Sequence, residues 1–443
     1  MKTPIFDFVE SYGKKNAVRL HMPGHKGKSF LGAESLDITE IDGADVLYSP
    51  DGIIEESENN ASSLFGTRHT FYSTEGSSLC IRAMLFLACQ NEEKPLILAA
   101  RNVHKAFVYA SALCDCEVSW IYPEKTSHIC TCEITAEDVK KAIEKAERRP
   151  CAVYITSPDY LGNMLDIKSI SEVCKAYGVP LLVDNAHGAY LNFLSENKHP
   201  IQLGASMCCD SAHKTLPVLT GGAYLHISEN APEHFCSNAR SALSLFASTS
   251  PSYLILQSLD LCNAYLTDGY IEKLNETAHK VNSLKMSLMN QGFDLSGDEK
   301  LKIAINPLSY GYTGEEIYDI LKRQNIFCEF CDRDYLVMMF TPESSQEDFE
   351  KVKSALSSLE KKASLESEKL SITENPERAL SIRKAVFSPA ETVDTDCAAG
   401  RICASPTVSC PPAVPVAVSG EIITEETVSI LKHYNIKKIE VIV

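Results

Sequence analysis

Three short peptides in this chain carry side chains suited to one kind of chemistry. Lys214 lies in the peptide Ser-Ala-His-Lys-Thr-Leu (211–216), which follows a strand-like run and precedes a glycine-rich turn. Asp184 ends an apolar run, at the carboxyl edge where open α/β sheets bind their ligands. Residues 73–78, Ser-Thr-Glu-Gly-Ser-Ser, open a predicted helix, and the N–H groups and dipole of a helix N-terminus favour a phosphate.

Together, the three peptides match the needs of pyridoxal phosphate. This cofactor requires a lysine that forms a Schiff base with its aldehyde, an anion that keeps its pyridinium nitrogen protonated, and an anchor for its phosphate. We therefore predict that Lys214 holds the cofactor and that Asp184 faces the ring nitrogen. Taken alone, Lys214 has a simpler interpretation as an exposed loop residue.

Hydrophobic periodicity predicts the elements that position these peptides. Apolar residues at helical spacing alternate with short, continuous apolar runs of strand type. The predicted elements are helix 77–90, strand 96–100, strand 152–156, helix 169–177, strand 180–183 and strand 222–227. Strands that are apolar on both faces and separated by helices indicate an α/β fold with a mostly parallel sheet.

The pattern changes beyond this region. A long helix at 271–289, a strand at 302–305, a helix at 313–323, strands at 326–330 and 335–340, and a helix at 346–361 predict a small α+β domain. A charged stretch at 362–377 is typical of a linker or an exposed helix, and a proline-rich run at 409–415 precedes a last strand at 436–443. We expect four parts: an N-terminal segment 1–50, a cofactor-binding large domain 51–270, a small α+β domain 271–365 and a C-terminal domain 366–443.

Composition excludes some classes of function. The 443 residues carry 42 basic and 59 acidic side chains, a net charge of −17. This charge argues against a nucleic-acid partner, because phosphate neutralisation needs clustered Lys and Arg. The sequence shows no apolar leader and no run long enough for a membrane span, so we expect a cytoplasmic protein without a membrane partner.

The 17 cysteines fit a reducing compartment, where most behave as small buried hydrophobes. Some pairs also have the spacing of metal ligands: Cys114 and Cys116, Cys130 and Cys132 beside His128, and Cys328 and Cys331. A structural zinc site usually presents two such pairs with knuckle-like loops, whereas Cys328 and Cys331 lie in a predicted β-rich run. We expect no metal site, with structural zinc as the alternative, and place Cys208 and Cys209 inside a strand.

At this point the sequence resembles the Orn/Lys/Arg decarboxylase family almost from end to end. The matching peptides are His21-Met22-Pro23-Gly24-His25-Lys26-Gly27, Asp37-Ile38-Thr39-Glu40, Arg101-Asn102-Val103-His104-Lys105, Asp184-Asn185-Ala186-His187-Gly188-Ala189, residues 211–216, Thr249-Ser250-Pro251-Ser252-Tyr253, Gly400-Arg401-Ile402 and Pro411-Pro412. The resemblance implies an aspartate-aminotransferase-like fold of pyridoxal-phosphate enzymes, with a small α+β domain and a C-terminal domain. We expect the short type without the receiver-like wing domain.

The resemblance also implies roles for individual residues. Lys214 is the Schiff-base lysine, Asp184 the partner of the ring nitrogen, and His104 the imidazole that stacks on the ring. With His213, these residues form the expected catalytic set. The expected cofactor-binding set is Gly76, Ser77, Ser78, His104, Asp184, His187, Ser211, His213 and Lys214. Three alternatives stay open: a helix cap for Ser77, an imidazole satisfied within the core for His104, and a turn residue for Ser211.

The chain departs from the family pattern at four positions. Glu75 replaces an Asn in the phosphate peptide, and a carboxylate beside a phosphate is repulsive unless it points away. Ala106 stands where Ser is usual, Gly221 where Gln is common, and Tyr190 where a second His is frequent. These departures concern phosphate geometry and substrate preference.

The implied reaction is α-decarboxylation of arginine, lysine or ornithine to the amine and CO₂. A carboxylate is needed to recognise the cationic end of such a substrate, and the resemblance gives that place to Glu329. An exposed acid on a strand edge is an equal alternative for Glu329. The sequence does not decide among the three amino acids.

Two other functions stay open. One is a different reaction on the same fold, transamination or elimination, for which Arg323 or Arg333 would hold the substrate carboxylate. The other is a silent paralogue that regulates a partner decarboxylase. The resemblance also implies a homodimer or higher homo-oligomer with shared active sites, to which residues 248–251 and 23–26 would contribute.

Overall fold

The structure is a computed structural model that describes residues 1–123, 128–366, 376–406 and 415–443. These residues form two compact units. The first comprises Met1–Glu92 and Ile167–Ile271, and the second comprises Glu93–Asp166 and Glu272–Val443. Part of the predicted linker at 362–377, nearly all of the proline-rich run, and Pro411-Pro412 lie outside the described residues.

The helices recur along the whole described chain. They are α1 (Pro4–Lys14), α2 (Ile53–Phe65), α3 (Gly76–Cys89), α4 (Lys105–Leu113), α5 (Ala136–Lys145), α6 (Ile167–Ala176), α7 (Ala212–Thr215), α8 (Glu233–Ser237), α9 (Ala239–Phe246), α10 (Tyr253–Leu266), α11 (Tyr270–Gln291), α12 (Gly314–Lys322), α13 (Gln346–Ser357), α14 (Ile382–Val386) and α15 (Glu425–His433). Short 3₁₀ helices occupy Ala189–Phe193, Leu308–Tyr310 and Thr395–Cys397.

The strands of the described residues form three sheets. They are β1 (His69–Ser73), β2 (Leu96–Ala100), β3 (Glu117–Ile121), β4 (Ala152–Thr156), β5 (Leu181–Asp184), β6 (Met207–Asp210), β7 (Ala223–Ile227), β8 (Asp294–Ser296), β9 (Lys302–Asn306), β10 (Phe330–Cys331), β11 (Leu336–Met339), β12 (Ala390–Asp394) and β13 (Lys438–Ile442). One sheet is mostly parallel and has seven strands, in the order β1-β7-β6-β5-β4-β2-β3. The second unit also holds an antiparallel sheet β10-β11-β9-β8 and the pair β12-β13. The predicted α/β fold class is confirmed.

Local sequence signals account for several helix starts in the second unit. Thr135, Thr313 and Ser345 each accept a hydrogen bond from the backbone N–H three residues on, while the acid at that position bonds back. Such capping boxes satisfy N–H groups that a helix start otherwise leaves without partners. They fix the first residues of α5, α12 and α13.

The predicted strands at 96–100 and 152–156 are confirmed to the residue, as β2 and β4. The strand predicted at 326–330 is wrong for most of its length, since β10 begins only at Phe330. The Ile326 N–H still bonds to the Leu321 carbonyl and closes the end of α12, so the first ladder bond forms only from the Glu329 N–H. The helix predicted at 346–361 also ends early, at Ser357.

Buried apolar side chains explain the folding of the small antiparallel sheet with α11, α12 and α13. Their shared core includes Val281, Leu288, Ile303, Ile305, Ile317, Leu321, Leu336, Phe349 and Leu356.

Among the described residues, no helix combines the length and apolar character required to cross a bilayer.

Candidate active site

The carboxyl ends of β5 and β6 lie side by side in the first unit. The two strands are parallel neighbours, with Asp184 paired to Cys209. Asp184 is the last residue of β5 and is only 3% exposed. Its Oδ1 accepts hydrogen bonds from the Ala186 N–H (3.2 Å) and the Cys209 thiol (3.7 Å). A carboxylate buried in this way attracts a facing cation strongly, because little water screens it.

Lys214 lies just beyond the end of the neighbouring strand. After β6 ends at Asp210, Ser211 leads into the short helix α7, which contains Lys214. The Lys214 Nζ is 3.1 Å from Nε2 of His187, a buried residue three positions after Asp184. The structure therefore brings the predicted lysine and His187 together.

His213 is held by the turn that follows α7. Its Nδ1 is 3.0 Å from the Gly222 carbonyl oxygen, which can only accept, so Nδ1 carries the hydrogen. Burial lowers the pKa of His213, and the positive charge of Lys214 lowers it further. The hydrogen bond to Gly222 raises this pKa but does not offset the other two effects. The neutral imidazole consequently keeps its lone pair on Nε2, where it can accept a proton.

The helix start at residues 76–78 adjoins the lysine peptide. The Ser211 hydroxyl donates to the Ser77 hydroxyl at 2.8 Å. Gly76 has φ +71°, and no atom lies within 4 Å of the place where its Cβ would be. Ser77 and Ser78 are half-buried in the first turn of α3. This open helix N-terminus with two adjoining hydroxyls fits a phosphate group.

Two departures from the family pattern have a local explanation. The Glu75 carboxylate accepts a hydrogen bond from the Ser248 N–H at 2.7 Å, so this acid has a partner in its own chain. Gly221 has φ +100°, and a Cβ there would meet the Thr74 carbonyl oxygen at 2.9 Å. Its own carbonyl accepts the Gly76 N–H at 2.7 Å. A glutamine cannot take this place without moving the backbone that leads into α3.

The other two departures are buried. Tyr190 lies in the 3₁₀ helix after the Asp184 peptide and is fully buried. Ala106 lies in the first turn of α4 and is 2% exposed.

The second unit contains His104. It caps α4, where its Nδ1 accepts the Ala106 N–H at 3.1 Å, and it is half-buried. Arg101, three residues earlier, forms two hydrogen bonds of 2.7 Å with Glu421, and both side chains are 2% exposed. A residue of the C-terminal region thus fixes the start of the loop that carries His104.

Glu329 also lies in the second unit. It is exposed and precedes β10, and its Oε1 accepts a hydrogen bond from the Tyr160 hydroxyl at 2.6 Å. The Tyr160 ring meets Phe330 edge to face at 5.5 Å. Tyr160 therefore holds a carboxylate that is open to solvent in the isolated chain.

Periodicity and spacing did not predict one set of buried polar side chains in the first unit. Asp210 lies directly before Ser211 and is surrounded by His199, His226 and Asn185. His199, Cys208 and Asp210 also form a group of possible metal ligands. The one available signal was an acid at the end of a buried strand. Cys208 and Cys209 lie within β6, as predicted.

Comparison with solved structures defines the class of fold. Constitutive lysine decarboxylase from Escherichia coli matches with a TM-score of 0.80 and 16% identity, over 100% of this chain and 82% of that one. Lysine decarboxylase A from Pseudomonas aeruginosa matches with a TM-score of 0.82 and 18% identity, over 99% and 80%. Serine palmitoyltransferase from Sphingomonas wittichii matches with a TM-score of 0.57 and 14% identity, over 79% and 82%. The fold is that of the aspartate-aminotransferase-like, fold-type I enzymes.

Sequence comparison identifies the family within this class. Residues 3–306 match the family model for the Orn/Lys/Arg decarboxylase major domain, and residues 359–439 match that for its C-terminal domain. An arginine decarboxylase from Bacillus subtilis (strain 168) is 30% identical over 97% of this chain and 92% of its own length. The chain belongs to the Orn/Lys/Arg decarboxylase family, as the sequence motifs indicated.

The geometry of Gly221 gives a testable prediction. Gly221→Ala adds the cost of a left-handed residue and a close contact with Thr74, together about 2–4 kcal/mol of unfolding free energy. Gly32→Ala is the matched control, because its φ is +103° but no atom lies within 4 Å of the added Cβ. Urea unfolding of both variants should show the larger loss for Gly221→Ala. Equal losses would contradict the steric explanation of the missing glutamine.

Proposed function

We propose that this chain removes the α-carboxylate of a basic amino acid as CO₂, with pyridoxal phosphate as its cofactor. Family membership supports the reaction. The observation that carries the proposal is the meeting of Lys214, His187 and the Ser77–Ser211 pair at the carboxyl edge of the sheet, in the unit that also holds Asp184. When bound, the cofactor accepts the electrons that remain on the α-carbon after CO₂ leaves.

The residues present fit this cofactor. Lys214 would hold its aldehyde carbon, the buried Asp184 would face its ring nitrogen, and the open N-terminus of α3 would receive its phosphate. His104 would stack on the ring. His213, with a lone pair on Nε2 beside Lys214, is suited to move a proton to or from the reacting carbon.

The substrate proposed is arginine, lysine or ornithine. Glu329 offers a carboxylate to the distal cationic group, and the Tyr160 hydroxyl fixes one of its oxygens. Relatives are named arginine decarboxylase in Bacillus subtilis and lysine decarboxylase in Pseudomonas aeruginosa. Arginine is the first substrate to test, because the proteins of that name are similar over nearly the whole chain.

The contacts of two residues weigh against the competing functions. Arg333, a candidate for the substrate carboxylate of a transaminase, contacts Asp334 at 3.3 Å and donates to the Glu366 carbonyl at 3.1 Å. The chain has the Schiff-base lysine of the family, Lys214, and this lysine contacts His187, which disfavours a silent paralogue.

We propose a cytoplasmic location, since the sixteen cysteines in the described ranges form no disulfide.

The lysine provides the first functional prediction. Lys214→Ala should lower CO₂ release from arginine, lysine and ornithine by at least about a hundredfold, because the chain loses the cofactor's attachment and a proton carrier. Radiometric CO₂ assays at saturating cofactor measure this loss, and Lys168→Ala, on α6, is the control. Unchanged CO₂ release by folded Lys214→Ala would refute the assigned role. Amino transfer to a keto acid without CO₂ release by the wild type would favour the transaminase.

Glu329 provides the second functional prediction. Glu329→Gln removes a charge-assisted contact to the substrate's cationic end, worth about 1.5–3 kcal/mol, so kcat/KM should fall about 10- to 100-fold. The loss should appear mainly in KM and should be smaller for a neutral substrate such as norleucine. Glu350→Gln, an exposed acid on α13, is the control. Equal losses of kcat/KM for charged and neutral substrates would show that Glu329 does not recognise the charge of the substrate.

We also propose that two copies of this chain form a homodimer. Large apolar side chains are exposed in the N-terminal segment, beside the peptide 23–26: Val18 (83%), Leu20 (89%), Phe30 (79%) and Leu31 (95%). Large apolar side chains that remain this exposed in one segment are typical of a surface that another protein covers. A second copy is the proposed occupant, because the family resemblance gives this peptide to the partner contact.

The dimer is tested by sedimentation equilibrium of the holoenzyme. Leu20→Ser with Leu31→Ser should weaken self-association at least about a hundredfold, since each buried leucine contributes about 1.5–3 kcal/mol. Phe387→Ser, a substitution at an exposed aromatic residue of the second unit, should leave self-association unchanged. A monomeric, fully active wild type would refute the proposal.

A further inference from the structure

The first unit contains a completely buried carboxylate that the proposed chemistry does not use. Asp210 ends β6 and has no exposed surface. Its Oδ1 accepts the Asn185 side-chain amide at 2.7 Å. Its Oδ2 is 3.0 Å from Nε2 of His199 and 3.2 Å from Nε2 of His226. These three partners are also fully buried, so the group is closed to water.

The partners of His226 indicate where its hydrogen lies. Burial lowers the pKa of His226, an effect that the facing Asp210 only partly offsets, so the ring is neutral. Its Nδ1 is 2.9 Å from the Thr70 hydroxyl, which can donate to it, and its Nε2 then donates to Asp210. Burial would raise the pKa of Asp210, but His199 and His226 lower it below the ordinary value, so the carboxylate stays ionised.

The Asp210 group joins the two peptides of the candidate site. Asn185 directly follows Asp184, and its own N–H donates to the Cys209 carbonyl at 3.0 Å. Asp210 directly precedes Ser211, at the start of the turn that carries Lys214. A Cβ on Gly188 would lie 1.9 Å from the Asn185 Oδ1, so only glycine leaves room for this side-chain amide. The carboxylate thus ties the end of β5 to the end of β6.

A metal ion is the other explanation for these side chains. The ligand atoms of His199, Cys208 and Asp210 lie within 4.8 Å of one another. The Cys208 Sγ is 3.9 Å from Nε2 of His199, a contact between thiol and imidazole that needs no ion. Both oxygens of Asp210 also already receive hydrogen bonds. The contacts therefore favour a hydrogen-bonded network over a metal site.

We propose that Asp210 is a positioning residue that locks the carboxyl ends of β5 and β6 together and so sets the placement of Asp184 relative to Lys214. The inference rests on the proposed function for what these two residues hold. A displacement of about 1 Å at reacting groups can cost about a hundredfold in rate, which gives such a lock a catalytic consequence.

The test compares Asp210→Asn with Glu58→Gln. Glu58 is equally buried and accepts hydrogen bonds from Arg240 and from the Tyr72 N–H, but it lies on α2, and neither partner belongs to β5 or β6. Both variants lose stability. Only Asp210→Asn should change the visible circular dichroism per bound cofactor, raise the dissociation constant of pyridoxal phosphate about tenfold or more, and lower kcat about 10- to 100-fold.

A measurement without cofactor separates the lock from the proposed function. Hydrogen exchange of the apo-protein should become faster in residues 181–188 of Asp210→Asn than in the same residues of Glu58→Gln. If Asp210→Asn does not fold, His226→Gln, which retains an N–H donor, should show smaller changes of the same kind. Unchanged exchange and unchanged cofactor dichroism in a folded variant would overturn the proposal.

Two further outcomes are distinct from these. A wild type that binds no pyridoxal phosphate and releases no CO₂ refutes the proposed function, while the exchange result still decides the lock. One equivalent of zinc in the purified wild type, lost in Cys208→Ser and in Asp210→Asn, would replace the lock by a metal site. We expect no zinc in the purified wild type. Cys208→Ser should have the cofactor dichroism and the kcat of the wild type.

Discussion

The parallel pairing of β5 with β6 is the constraint on which the candidate site depends. It places Asp184 opposite Cys209, so that the chain leaves β6 one residue later and reaches Lys214 within one helical turn. A slip of one residue would turn the Asp184 side chain to the other face of the sheet. The hydrogen bonds of Asp210 to Asn185 and to two histidines oppose such a slip, because breaking them would leave a buried charge unsatisfied.

Residues proposed to take part in the chemistry occur in both units. The first contains Lys214, Asp184 and the N-terminus of α3, where we propose that the phosphate binds. The second contains His104, held through Arg101 and Glu421, and Glu329, held by Tyr160. In both units the residue proposed to meet cofactor or substrate lies beside a hydrogen-bonded partner that fixes its backbone or its side chain. This arrangement is what a preorganised site requires.

Residue type and spacing predicted the strands that carry the candidate residues, while the contacts that support those residues needed the structure. The strands at 96–100 and 152–156 were predictable because they are apolar on both faces. The strand at 326–330 was not predictable in the same way. The Ile326 N–H bonds to a helix carbonyl instead of a neighbouring strand, and the apolar pattern of the sequence carries no information about that hydrogen bond. The Asp210 network was missed for a related reason: its partners lie 11, 16 and 25 residues away, and only the tertiary fold brings them together.

We propose that Lys214 holds pyridoxal phosphate at the edge of the sheet formed by the carboxyl ends of β5 and β6. The most direct measurement is reduction of the cofactor-loaded protein with borohydride, followed by peptide mass spectrometry. We expect one pyridoxyl phosphate group per chain, on Lys214. Modification of another lysine, or of none in a protein that releases CO₂ from a basic amino acid, would contradict it.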